Sequence, residues 1–157
     1  MLEAIVGDGD SLLPDIKERY ASLIHSEAEQ EKNDFSKAFR FCLSQERKRI
    51  TIMGATGKRE DHTIGNVSLL ADYMEQAEVS MMTDYGIFVP IREDSMFESY
   101  IGQQISVFNM NSTALSAEGL AYPLSVFTNW WQGTLNEALA RHFIIRTEGK
   151  VLVFRVF

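Results

Sequence analysis

Ala4-Ile5-Val6-Gly7-Asp8-Gly9-Asp10-Ser11 is a short apolar run that ends in two glycines and two carboxylates. The apolar residues read as the end of a buried strand, and Gly7 and Gly9 loosen the backbone where the strand gives out. Asp8 and Asp10 repel each other in so tight a turn unless a positive charge sits between them. A hard divalent cation such as Mg²⁺ answers that need, because it takes carboxylate oxygens and keeps waters for a phosphate partner. The competing reading is a surface turn in which Asp and Gly serve only the backbone. The strand opens at residue 4 with no element before it to pair or cover it, so an N-terminal piece is expected to precede this sequence.

Working outward, the first half alternates strand and helix. Pro14 precedes a predicted helix over 15–24, with Ile16, Tyr20, Leu23 and Ile24 on one face. A polar stretch, 25–32, follows. Asn33 caps a predicted helix over 34–46, whose apolar face carries Phe35, Ala38, Phe39, Cys42 and Leu43. Arg47-Lys48-Arg49 places cations at its negative end. Ile50-Thr51-Ile52-Met53 reads as a buried strand, and Gly54-Ala55-Thr56-Gly57 turns from it into a helix over 62–76. A βαβα order predicts a mostly parallel sheet covered by helices.

The second half reads as all-β. Runs at 79–83, 87–89 and 104–109 are separated by Gly, Asn and Asp turns. Phe143-Ile144-Ile145-Arg146 and Val151-Leu152-Val153-Phe154 flank Thr147-Glu148-Gly149-Lys150, which predicts a hairpin. The expected architecture is an α/β domain over 1–78, with a parallel sheet incomplete at its N-terminus, followed by a small β-sandwich over 79–157.

Composition narrows the function classes. The 157 residues carry a net charge of −7, and neither half has the basic excess of a general nucleic-acid binder. The single cysteine, Cys42, forms no internal disulfide and suits a reducing cytoplasm. No apolar stretch approaches the roughly 20 residues that span a bilayer. Met1-Leu2-Glu3 lacks the charged leader and apolar run of a secretory signal. The expectation is a cytoplasmic protein that engages neither nucleic acid nor membrane.

The chemistry is expected at the carboxyl ends of the parallel strands. Gly54-Ala55-Thr56-Gly57-Lys58-Arg59-Glu60-Asp61-His62 offers backbone N–H groups and a helix N-terminus for phosphate, Lys58 and Arg59 for charge, and Asp61 as a metal ligand. It is not a Walker A loop, since Ile52 stands where the first glycine is required. Gly-x-x-Gly after a strand also marks ordinary tight turns. Asp34 lies in a first helical turn, where the helix dipole favours an acid without any function. His25 and His142 show no ligand spacing, His62 follows Asp61 at a helix start, and Met81-Met82 read as strand packing.

Together these segments resemble the thiamine pyrophosphokinase family. Gly7 to Ser11 is similar to its G-D-x-D-S motif, Gln30 to Asp34 to its Q-x-x-T-D segment, and Gly54 to His62 to its G-A-T-G-G-R-x-D-H run. Gly119-Leu120-Ala121-Tyr122-Pro123-Leu124 and Gly133-Thr134-Leu135-Asn136-Glu137 are similar to G-L-K-Y-P-L and G-x-S-N-E. The resemblance implies transfer of the pyrophosphoryl group of ATP to thiamine, giving thiamine diphosphate and AMP, by a homodimer. It implies that Asp8, Asp10 and Asp34 hold Mg²⁺ and that Asp61 sits near the attacking hydroxyl or the metal. Gln30, Thr56, Gly57 and Arg59 would contact ATP, and Thr134 and Asn136 would line a thiamine pocket completed by the partner subunit.

Those roles are physically coherent, because phosphoryl-type transfer needs positioning and charge neutralisation above all. Thiamine is a cation, so Trp130 and Trp131 are candidates for a cation–π wall, or for packing in the core or a dimer interface. Three departures stand out: Asn33 for the family Thr, Lys58 for the second Gly of G-G-R, and Leu135 for the Ser before Asn136. The family's N-terminal strands, with a D-G-A segment, have no counterpart. A Mg²⁺-dependent nucleotide hydrolase, a pyrophosphokinase for another alcohol, and a non-catalytic binding fragment remain rival readings.

Overall fold

A computed structural model describes residues 2–7, 12–26 and 33–157. The chain divides into two compact units, 1–48 and 49–157.

The first unit contains β1 (Ile5–Gly7), α1 (Pro14–Arg19), a 3₁₀ turn (Ala21–Leu23), β2 (Ile24–Ser26) and α2 (Asp34–Ser44). β1 and β2 pair in parallel, with Ile5 opposite Ile24. The helix expected over 15–24 is therefore shorter, because Ile24, His25 and Ser26 leave it to bond β1. α2 starts where the sequence places it, with the Ser36 N–H donating to Asn33 Oδ1 at 2.8 Å. It packs on β1 and stops at Ser44, two residues early, where Glu46 takes a left-handed φ of +57°. Arg47 then pairs with Glu3 at 2.7 Å, and Arg49 belongs to the next strand.

The second unit holds β3 (Arg49–Met53), α3 (Glu60–Tyr73), β4 (Glu78–Met82), β5 (Gly86–Ile91), β6 (Ser95–Glu98), β7 (Gln104–Asn109), β8 (Leu115–Glu118), β9 (Asn136–Glu137), β10 (His142–Thr147) and β11 (Val151–Val156). Six strands form one sheet in the order β3-β4-β5-β11-β7-β9, and three form a second, β6-β10-β8. Ile91, Ile105, Val107, Val151 and Val153 meet Phe97, Leu115, Phe143 and Ile145 in a shared core, so the expected sandwich is present. α3 packs against β4, β5 and β11.

Two expectations are corrected. Among the described residues parallel pairing is confined to β1–β2 and β3–β4, and the large sheet is mixed because β5, β11, β7 and β9 add antiparallel. That sheet also runs through residue 78 without a break. Thr83 closes the β4–β5 hairpin, its Oγ1 accepting from the Tyr85 and Gly86 N–H groups at 3.2 Å each.

The second correction concerns 143–154. β10 and β11 do not form a hairpin but lie in different sheets, so residues 148–150 turn a sandwich corner. Val151, Leu152 and Val153 are all buried, which suits a central strand covered on both sides, whereas β10 buries alternate residues. Continuous apolar runs of this kind do not announce which sheet they join. Met81 is buried as expected, while Cys42 is only half-buried. No helix among the described residues is long and apolar enough to cross a membrane.

Candidate functional site

In the second unit, buried Ile52 anchors the end of β3, and the chain leaves it through Gly54 (φ +69°) and Gly57 (φ +88°). Both φ values favour glycine. Lys58 is not left-handed, so its replacement of a family glycine meets no backbone strain. The loop is held from behind: Asn66 Nδ2 donates to the Ala55 carbonyl at 2.8 Å, and Thr63 Oγ1 donates to the Arg59 carbonyl at 3.1 Å. Gly54, Ala55, Thr56, Lys58, Arg59, His62, Thr63 and Asn66 line one cavity of about 240 Å³. The sequence-predicted Thr56 and Arg59 therefore face the same space.

Arg59 and Asp61 form a two-point ion pair. Arg59 Nε donates to Asp61 Oδ1 at 3.1 Å and Nη2 to Oδ2 at 2.6 Å, while the His62 N–H also donates to Oδ1 at 2.9 Å. The guanidinium holds the Asp61 carboxyl below its ordinary range, with the His62 N–H and the His62 charge adding to the effect. A carboxylate so held is a weak base. Its geometry suits orienting the Arg59 guanidinium, which it holds at two points through Nε and Nη2.

In the first unit, Asp34 opens α2 and its carboxylate lies against the end of β1. A Cβ built on Gly7 would stand 3.1 Å from Asp34 Oδ1. Gly7 (φ +152°) thus makes room for the carboxylate immediately before Asp8 in the sequence. Asp34 Oδ1 also accepts from Lys37 Nζ at 3.3 Å. Asp8, Asp10 and Gln30 lie outside the described residues, and no cluster of three His, Cys, Asp or Glu side chains that could hold a metal occurs among the described ones.

The third set, Gly133 to Glu137, sits on β7. Thr134 Oγ1 donates to the Trp131 carbonyl at 2.7 Å. Asn136, 4% exposed, spends its amide on Tyr122: Nδ2 donates to the Tyr122 carbonyl at 2.8 Å, and Oδ1 accepts from the Tyr122 N–H at 3.0 Å and the Glu137 N–H at 2.9 Å. The side chain works as a rung of sheet that pins the 119–124 segment. Asn136→Ala should cost about 2–3 kcal/mol by leaving the Tyr122 N–H and carbonyl unpaired. Urea denaturation reads this, and a loss under about 0.5 kcal/mol would show that the rung carries no load.

Leu135, between these two, is 75% exposed at φ +62°. A branched side chain in that region is strained by about 1–2 kcal/mol. Because little of it is buried, Leu135→Asn should raise stability by about 0.5–1 kcal/mol, visible as a higher urea midpoint. Trp130 packs edge-on against Phe108 with centroids 6.0 Å apart, and Trp131 is 74% exposed, so neither belongs to the core.

Sequence reasoning passed over two residues that matter here, Asn66 and Lys37, and it quoted Tyr122 only as part of the 119–124 motif. Asn66 follows Asp61 by five positions and carries no motif of its own. Lys37 stands on what reads as a solvated helix face, and only its burial distinguishes it.

The catalytic-domain model of thiamin pyrophosphokinase matches residues 1–82, and the substrate-binding-domain model matches residues 86–154. Thiamine pyrophosphokinase 1 of Oryza sativa subsp. japonica is 29% identical over 97 residues, a match covering 55% of this chain and 37% of that protein. The chain thus aligns with little more than a third of the rice protein. The solved thiamine pyrophosphokinase of Bacillus subtilis superposes with a TM-score of 0.83 at 21% identity, covering 98% of this chain and 78% of that one. The Candida albicans structure gives 0.82 at 18% identity, covering 99% and 73%. These likenesses show the fold. The family models reach over both the Gly54–His62 segment and the Asn136 segment, and on that ground the chain belongs to the thiamin pyrophosphokinase family.

Proposed function

We propose that this chain transfers the pyrophosphoryl group of ATP to thiamine, yielding thiamine diphosphate and AMP. The thiamine hydroxyl oxygen bonds to the β-phosphorus, the bond from that phosphorus to the α-bridging oxygen breaks, and the hydroxyl proton is released. Residues 1–78 serve ATP and Mg²⁺ as an α/β nucleotide-binding domain, and 79–157 serve thiamine. The observation that carries this reading is the shared cavity of Thr56 and Arg59 at the start of α3, within the match to the family's catalytic domain.

Asp8, Asp10 and Asp34 would be the oxygen donors for Mg²⁺, and the space that Gly7 leaves for the Asp34 carboxylate fits that use. When bound, the cation neutralises phosphate charge. Arg59, oriented by Asp61, and the backbone of Thr56 and Gly57 take phosphate oxygens, with Gln30 assisting. Asp61 steadies the guanidinium rather than taking the hydroxyl proton. Asn136 and Thr134 shape the thiamine pocket through Tyr122 and Trp131, with the exposed Trp131 ring available for the thiamine cation. A homodimer completes that pocket, and the working compartment is the cytoplasm.

AMP release from ATP and Mg²⁺, with and without thiamine, tests the reading. Thiamine-dependent AMP supports it. AMP or ADP formed regardless of thiamine overturns it in favour of a nucleotide hydrolase. Ligand binding without turnover would make the chain a binding module.

A further inference from the structure

Lys37 is placed where neither burial nor the helix favours it. Its side chain is buried, the residue being 4% exposed, yet it carries three N–H donors and an ammonium charge. Its one hydrogen bond among the described residues is to Asp34 Oδ1 at 3.3 Å, and Asp34 itself is largely exposed. It also stands one turn into α2, near the positive end of the helix dipole, which disfavours a cation. An apolar side chain of the same length would serve packing as well or better, since replacing a buried ion pair by hydrophobic groups is often neutral or stabilising. Fold stability therefore does not account for the charge.

The ligand chemistry does. Asp34 Oδ1 accepts from the Lys37 ammonium at 3.3 Å, its carboxylate lies where a side chain on Gly7 would begin, and the Asp34 side chain is 59% exposed. A cation next to a carboxylate weakens that carboxylate's hold on a bare divalent ion by simple repulsion. It has the opposite effect on a metal–nucleoside triphosphate, whose net charge is negative. We propose that Lys37 is a positioning residue that orients Asp34 and biases the carboxylate site toward the metal–triphosphate complex over the free metal ion. This rests on the reading of Asp34 as a metal ligand given above.

The test is binding without thiamine and without turnover. Mn²⁺ alone is titrated by electron paramagnetic resonance, and Mn²⁺ with α,β-methylene-ATP by calorimetry, on the unmodified chain, Lys37→Met, Lys37→Gln and Asp34→Asn. Lys37→Met and Lys37→Gln should bind Mn²⁺ alone about three- to fivefold more tightly and the Mn²⁺–nucleotide complex about tenfold more weakly. A purely packing role would move both affinities together or neither, and either result overturns the proposal. Asp34→Asn should weaken Mn²⁺ alone by about tenfold. If it does not, the metal assignment of Asp34 fails and the Lys37 proposal fails with it. If Asp34→Asn weakens the ion but the lysine variants show no opposite-signed split, only the Lys37 proposal fails.

Discussion

Gly133→Ala is expected to lower stability by about 3 kcal/mol, at the upper end of what overpacking usually costs. In a chain of this size that is a fall in melting temperature of roughly 6–12 °C. Gly133 is buried at the end of the 3₁₀ turn Trp130–Gly133, with its Cα pressed on β7. An added Cβ would run into the Val107 carbonyl oxygen and come within 3.1 Å of the Phe127 ring. That carbonyl belongs to the backbone of β7, where Val107 lies opposite Val153 of the central strand, so it cannot yield without disturbing the sheet. Gly65→Ala is the control: nothing lies within 4 Å of its Cβ position on α3, so it should stabilise by about 0.5–1 kcal/mol. Equal melting temperatures for the two variants would refute the close approach of the turn to β7.

Arg59→Ala is expected to reduce kcat/KM for thiamine-dependent AMP release by at least about 100-fold, the scale of losing one preorganised charge donor. Stability should barely change, because the Arg59–Asp61 pair is solvent-exposed on both sides, and such pairs contribute little. Arg59→Lys should recover only a small part of the rate, since an ammonium cannot reproduce the two-point fork. A variant that loses stability but keeps its rate would place Arg59 in the scaffold instead. Without the guanidinium, the Asp61 carboxyl should titrate higher, because Arg59 is the main cause of its depressed value. A depressed carboxylate adds its stability above the unfolded-state value and loses it only as pH falls through the folded value. Any change in rate between about pH 5 and 8 therefore belongs to another group.

Where the chemistry is local, the sequence was enough to read it. Asn33 caps α2 because an Asn side chain can reach an N–H three residues on, an interaction wholly contained in the sequence. The Gly54–Gly57 turn, the α3 start beyond it and the closeness of Arg59 to Asp61 are likewise short-range. In the second half β4, β5, β7, β10 and β11 were legible for the same reason, whereas β6, β8 and β9, like β2 in the first half, were not predicted. β2 holds a His and a Ser and β9 spans only two residues, too short to show alternation.

What the sequence by itself determined is most of the element types and the order of the motifs. These depend on spacings of a few residues, where backbone geometry leaves few alternatives. Tertiary structure alone decided that β10 and β11 part into different sheets, since pairing is chosen by distant partners in β5, β7, β6 and β8. It alone turned Asn136 inward onto Tyr122, fourteen residues away, and buried Lys37 beside Asp34. A polar side chain's pattern in the chain says that it can hydrogen-bond. Only packing removes the water and leaves it one partner.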